Sequence, residues 1–178
     1  MRQVVTARSM LLHRRIDRFQ KKHHFTNRIF ALMARYGPAV YFLFMLLFLI
    51  FANDVGVTFS KALSAVILGI LSAVATKLLI DPIAHRIGRR RPFVQLQLQP
   101  LIDKDPKDPS FPSNHAGGSI ALATALSLVD PKIAALAYCL SLLIMASRVY
   151  TQLHYFTDIL AGAILGFMVT VFLYIIFF

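Results

Sequence analysis

From residue 29 onward the chain is a succession of apolar segments close to bilayer-crossing length, separated by polar turns and one long polar loop. No other feature restricts the fold as much. A segment in lipid must satisfy its own backbone hydrogen bonds, which selects helices, and about 20 helical residues cover the ~30 Å hydrocarbon core. The first segment runs from about Ile29 to Ala52, with Arg35 and Pro38 early in it, and the second from about Phe59 to Ile80, with Lys61 and Lys77 near its ends. Asp81-Pro82 is expected to end the second, because proline biases the preceding residue away from helix. The third, from His115 to Val129, is short and stopped by Asp130-Pro131; the fourth runs from Lys132 to Ser147 and the fifth from Thr157 to Phe178. In the third, Ala116, Gly117, Gly118, Ser119, Ala121 and Ala123 suit close approach of neighbouring backbones. The expected fold is therefore an all-α polytopic membrane bundle of about five transmembrane helices. A hydrophobic content of 57% against 15% charged residues excludes an ordinary soluble domain.

Residues 1–28 differ in character from residues 29–178. They carry Arg2, Arg8, Arg14, Arg15, Arg18, Lys21, Lys22 and Arg28 together with His13, His23 and His24. Met10, Leu11, Leu12, Ile16 and Phe19 recur among them at roughly helical spacing, which predicts an amphipathic helix on the membrane surface rather than a disordered tail, and the polar, basic start does not fit a cleavable signal peptide. The net charge of +11 would suggest nucleic acid for a soluble protein; in a membrane chain it points to anionic headgroups or to orientation by positive loops. Nucleic acid is not an expected partner. Cys139 is the single cysteine and has neither a disulfide nor a metal-site partner.

Two spans separate the 81–114 loop from the N-terminal segment, and two more separate it from the turn after residue 147, so both polar stretches open on one side of the membrane. That brings Arg91, Ser113, His115, Arg148, His154 and Asp158 to one face. Polar and ionisable groups at a membrane boundary tend to mark a functional site. Two histidines and two arginines, with no cysteine or carboxylate cluster, suit phosphoryl transfer without a metal, since guanidinium groups and amides can neutralise the equatorial oxygens. Ser113 is expected to cap the third helix, whose free N–H groups then face an anion. His154 would attack phosphorus and His115 would protonate the leaving oxygen. If His154 and Asp158 share a helix, their spacing of four allows the carboxylate to fix the imidazole tautomer. Arg89 and Arg90 read better as a charge cluster flanking the second span. No cofactor is expected.

These residues resemble the signatures of the type 2 phosphatidic acid phosphatase family: Lys-x6-Arg-Pro, Pro-Ser-Gly-His and Ser-Arg-x5-His-x3-Asp. The third is complete as Ser147-Arg148, His154 and Asp158; the second reads Pro112-Ser113-Asn114-His115; the first keeps Arg91-Pro92 but has Ala84 in place of lysine. The resemblance implies a phosphohistidine on His154 oriented by Asp158, His115 as general acid, and phosphate binding by Arg91, Arg148, Ser113 and the Asn114 amide. His85, Arg86 and Arg90 are candidates to replace the missing lysine. The short five-span layout and the Arg-Pro-Phe sequence are similar to bacterial undecaprenyl pyrophosphate phosphatases of this family, which implies a multi-pass cell-membrane enzyme acting on that lipid. Phosphatidic acid or phosphatidylglycerol phosphate is the alternative substrate. From another class, a non-catalytic lipid-binding protein would need only the arginines, and an anion transporter would show inverted repeats. The family's haloperoxidase relatives are soluble, which makes vanadate chemistry a poor fit. The resemblance implies a site outside the cytoplasm. Charge counting implies the reverse, because all Lys and Arg except Lys61 and Lys132 fall on the site's side in a five-span layout.

Overall fold

The computed structural model describes residues 6–177, so Arg2 and Phe178 lie outside the described residues. Among the described residues, seven helices follow one another: α1 (Ala7–Gln20), α2 (His24–Ile50), α3 (Phe59–Ile87), the short α4 (Pro92–Gln95), α5 (Asn114–Ser127), α6 (Pro131–Tyr150) and α7 (Phe156–Phe177). Among the described residues, α2, the α3 segment, α6 and α7 are long and apolar enough to cross a membrane. Their outer faces present large apolar side chains such as Phe42, Leu71, Leu78, Phe167 and Phe172, a surface suited to lipid.

The expected third span is α5, and it is not a full-length span. Its 14 residues rise only about 21 Å. It forms the centre of the bundle, packed against α3, α6 and α7, with Ala116, Gly117, Ser119, Ala121, Ala123, Thr124, Ala125 and Leu126 buried. A helix sheathed by longer ones need not itself cover the bilayer. It still joins the two ends: Asn114 touches Asp81, whereas Leu128 and Val129 share a pocket with Ser60, Lys61 and Tyr174.

Small residues set how close α5 and α7 come. A Cβ added to Gly162 would lie 2.3 Å from Ser113 O, and one on Gly166 would lie 2.1 Å from Gly117 O, so these helices meet backbone to backbone. Side-chain hydroxyls lock the contact further: Thr170 donates to Ala121 O at 3.2 Å, and Ser141 of α6 donates to Ser119 O at 2.9 Å.

Asp81-Pro82 does not end the second span. The α3 helix continues through Pro82 to Ile87 and stops at Gly88, whose φ of 59° is the left-handed cap conformation that glycine adopts readily. Proline removes one amide donor, but here the exposed first turns past the apolar stretch are held by Lys77 paired with Asp81 and by His85 Nδ1 on Asp81 O at 2.7 Å. About six residues of α3, roughly 9 Å, thus project beyond the start of α5. The α1 helix forms as expected, with Thr6 accepting from Ser9 N at its N-terminus, and it exposes its arginines together with Leu11, Leu12 and Phe19. His13 instead points inward and is fully buried.

Candidate active site

The polar groups converge where α3, α5, α6 and α7 meet the 88–113 loop and the 151–155 turn. They line a cavity of about 330 Å³ that holds Arg91, Asn114, His115, Arg148 and His154, with Lys77, Asp81, His85, Lys104 and Asp108 at its walls. Four formal cations face two carboxylates there, an excess that favours an anionic ligand.

His154 lies in the turn before α7, not on the helix, and this changes what orients it. Its Nδ1 donates to Ser110 O at 2.7 Å, and Arg91 Nη1 donates to its Nε2 at 3.1 Å. A carbonyl can only accept and a guanidinium can only donate, so the proton sits on Nδ1 and the lone pair on Nε2. Burial lowers the His154 pKa well below its ordinary 6.5, and Arg91 and Arg148 lower it further, so the imidazole is neutral at physiological pH. Asp158 is 3.8 Å from Nδ1 and makes no hydrogen bond to it. The helix-face pairing expected from the spacing fails because α7 begins two residues after His154.

Asp158 is fully buried and holds the surrounding framework instead. Its Oδ1 accepts from Arg89 at 2.6 Å and its Oδ2 from Tyr155 N at 2.8 Å, the return half of a capping box at the start of α7. Its backbone oxygen accepts from Ser113 N at 3.0 Å, which joins α7 to the start of α5. Arg89 also donates to Thr157 Oγ1 at 2.8 Å and lies 4.4 Å from the Tyr155 ring centroid. It is a half-buried partner of the site rather than a flanking surface charge. Nothing local in the Arg89-Arg90-Arg91 run distinguishes it; only the tertiary partner does.

Arg91 caps α4 and is 5% exposed. Its Nε donates to Asp108 O at 3.1 Å, its Nη2 to Pro109 O at 3.0 Å and its Nη1 to Leu153 O at 3.0 Å, so three loop carbonyls aim it at His154. Arg148, near the end of α6, donates to Ala34 O at 2.7 Å, while its Nε is buried without a partner. An orphaned charged donor beside the cavity is costly unless a ligand oxygen completes it. Ser113 caps α5 and accepts from Ala116 N at 3.4 Å; Asn114 Nδ2 donates to Asp81 Oδ1 at 2.6 Å. His115, in the first turn of α5, lines the cavity opposite.

Of the three candidates for the missing lysine, His85 lines the cavity; Arg86 and Arg90 are exposed and do not. Lys77 and Lys104 do, paired with Asp81 and Asp108 respectively. Lys104 holds the Asp108 carboxyl below the usual carboxylate range. Lys104 belongs to the polar loop, where no helical periodicity pointed to it. Among the described residues no group of three or more His, Cys, Asp or Glu side chains is placed to hold a metal ion. Lys77, Asn114 and His115 also border an apolar groove of about 470 Å³, walled by residues including Tyr41, Phe42, Met45, Val74 and Leu122. A polar cleft and an apolar groove thus share one wall.

The sequence matches the family model for the PAP2 superfamily over residues 59–178. No curated protein matches the chain. Among solved structures, it is similar to LpxE of Aquifex aeolicus, with a TM-score of 0.65 and 22% identity over 96% of this chain and 98% of that one. It is also similar to a PAP2-type phosphatidylglycerolphosphate phosphatase from Bacillus subtilis, with a TM-score of 0.66 and 19% identity over 97% and 87% of the two chains. A bacterial vanadium-dependent iodoperoxidase matches with a TM-score of 0.74 and 16% identity, over 98% of this chain but 50% of the other. At these identities the likeness is one of fold.

Proposed function

The chain belongs to the PAP2 superfamily, and on that premise we propose that it is a metal-independent lipid phosphatase that converts undecaprenyl pyrophosphate to undecaprenyl phosphate, recycling the cell-wall carrier lipid. The observation that carries this reading is the neutral His154, with its Nε2 lone pair facing an arginine-lined cleft that opens into an apolar groove.

In the reaction, the terminal phosphoryl group enters the cleft and draws Arg91 Nη1 from His154 Nε2 onto a phosphoryl oxygen. Arg148 Nε, Ser113 and the Asn114 amide take the remaining oxygens, replacing the hydration that the anion loses. Nε2 attacks phosphorus in line, the bond to the bridging oxygen breaks, and His115 gives that oxygen its proton, which leaves the imidazole free to act as a base. Water then attacks the phosphohistidine, with His115 taking the proton, and inorganic phosphate leaves. Asp158 acts through the framework it ties together, and its negative charge 3.8 Å away stabilises the imidazole as charge develops on it.

A pyrophosphate brings a second phosphate, and Lys77, Lys104 and His85 stand at the cavity wall beyond the inner arginines to meet it. Phosphatidic acid or phosphatidylglycerol phosphate would use the same inner groups and leave these outer ones without a partner on the ligand. Following the family resemblance, we read the site as extracytoplasmic; Arg89, Arg91 and Arg148 are engaged in the site and carry no weight in charge counting, although the exposed cations of α1 do. The test is phosphate release by detergent-purified protein, with chelator present, from the three lipids in parallel and the His154→Ala variant as blank. Preference for the pyrophosphate supports the proposal. Preference for a glycerolipid moves the enzyme to phospholipid metabolism, and release from none refutes the phosphatase reading.

A further inference from the structure

The α1 helix turns two polar residues inward, His13 and Gln20, while its arginines face out. Both inward residues grip the segment that carries His154. His13 Nδ1 meets Gln152 Oε1 at 2.5 Å, and Gln152 Nε2 donates back to His13 O at 3.1 Å, a reciprocal pair spanning 139 residues. Gln20 Nε2 donates to Tyr150 O, and the His13 ring meets the Tyr155 ring edge-on at 5.2 Å. These contacts bracket His154 on both sides.

Gln152 is where such a grip has most effect. Its φ of 65° is left-handed, a conformation that a non-glycine residue keeps only when its surroundings hold it. His13 and Gln152 are both fully buried, and Phe93 N fixes the Gln152 carbonyl at 3.2 Å. The left-handed residue turns the chain so that Leu153 O receives Arg91 and His154 Nδ1 reaches Ser110. If the Gln152 side chain loses its partner, the turn can relax toward ordinary φ and swing Nε2 away from the cleft.

We propose that His13 and Gln152 are positioning residues that hold the left-handed turn and thereby aim His154, so that docking of the N-terminal helix is part of the catalytic apparatus. This rests on the reading of His154 as nucleophile. His13→Leu removes the donor, whereas His13→Asn brings an amide nitrogen to the place of Nδ1 and should restore it. The experiment compares the two variants, Gln152→Met and the His13→Leu/Gln152→Met double variant in the full-length detergent-purified protein. Steady-state hydrolysis of undecaprenyl pyrophosphate is measured beside amide hydrogen exchange. In His13→Leu, kcat falls by about 10–100-fold with KM unchanged, as expected for a reacting atom misplaced by roughly 1 Å. Exchange rises in the 148–155 segment and not in α5 or α7, His13→Asn stays near the unmodified protein, and the double variant is no worse than either single one. Unchanged kcat and exchange in His13→Leu would overturn the proposal. So would a rise in exchange throughout the bundle with no rescue by His13→Asn, since that is ordinary packing. A wild-type protein that releases no phosphate would sink the function proposed above, while the exchange comparison would still decide whether His13 holds the turn.

Discussion

Gly162→Ala tests whether the α5–α7 contact sets the geometry of the site. The added Cβ would lie 2.3 Å from Ser113 O, and 3.2 Å from both Ser113 N and Ser113 C. An ordinary contact begins at 3.4 Å, so the backbones must part by about 1.1 Å, the difference between 3.4 and 2.3 Å. No flexible side chain can absorb this, because the obstacle is backbone. Overpacking of this kind costs about 1–3 kcal/mol of stability. The displacement falls on Ser113, whose N–H bonds Asp158 O and whose helix carries Asn114 and His115. A 1 Å misplacement of reacting groups costs on the order of 10²-fold in rate. The expected outcome in phosphate-release and thermal-unfolding assays is therefore a modestly less stable protein with a much larger loss of kcat. Gly118→Ala is the steric control: its Cβ meets only Ala73 Cβ at 3.9 Å, so stability should stay as it is. Unchanged kcat in Gly162→Ala would refute the claim that this contact positions the site.

Asp158→Ala should destabilise the fold by about 3–5 kcal/mol, because it leaves the largely buried Arg89 without its carboxylate; equilibrium unfolding in detergent measures this, and a loss near zero would show that the pair holds nothing. The depressed pKa of His154 predicts that the acid limb of kcat/KM attributable to it lies below 6.5, and a limb at or above 6.5 would count against a neutral nucleophile. Stability follows the same sign: the unfolded chain takes up this proton near 6.5 and the folded chain only at lower pH, so this contribution is lost as pH falls through and below 6.5. Lys77→Met should lower kcat/KM for a lipid pyrophosphate by about 10-fold or more while sparing a lipid monophosphate, as loss of one charge-assisted contact implies; an equal loss on both would remove its role at the second phosphate. Lys107→Cys in a Cys139→Ser background should react with a membrane-impermeant thiol reagent in intact cells if the site faces outward, and labelling only after lysis would reverse the orientation.

The membrane segments were legible because apolar runs of bilayer length have few alternatives, and their expected boundaries lie within a few residues of α2, α6 and α7. Pro82 was misread because a local rule about proline says nothing of the ion pair and glycine cap that carry α3 onward. The gathering of Arg91, Ser113, His115, Arg148, His154 and Asp158 at one face followed from counting helices between polar stretches. Their hydrogen bonds did not. The four-residue spacing of His154 and Asp158 suggested one helix face, yet the intervening chain is a turn, and the carbonyl of Ser110, a residue with no distinguishing sequence context, accepts the hydrogen bond from the imidazole N–H. Gly162 and Gly166 stand four apart within the last apolar segment, a visible small-residue spacing whose partner on α5 emerges only in three dimensions. His13 sat among arginines; it and Gln20, seven residues on, are the buried residues of α1, and because both are polar no hydrophobic pattern marked that inward face.

The most direct test of the central claim is to trap the intermediate. Purified protein is mixed with a lipid pyrophosphate carrying a radiolabelled terminal phosphate, quenched in alkali within the first turnover, and digested for mass spectrometry. The account predicts an acid-labile, alkali-stable label on the peptide containing His154, absent from His154→Ala and diminished in kcat-impaired His13→Leu. Turnover without any covalent label, or a label on a residue other than His154, would contradict it.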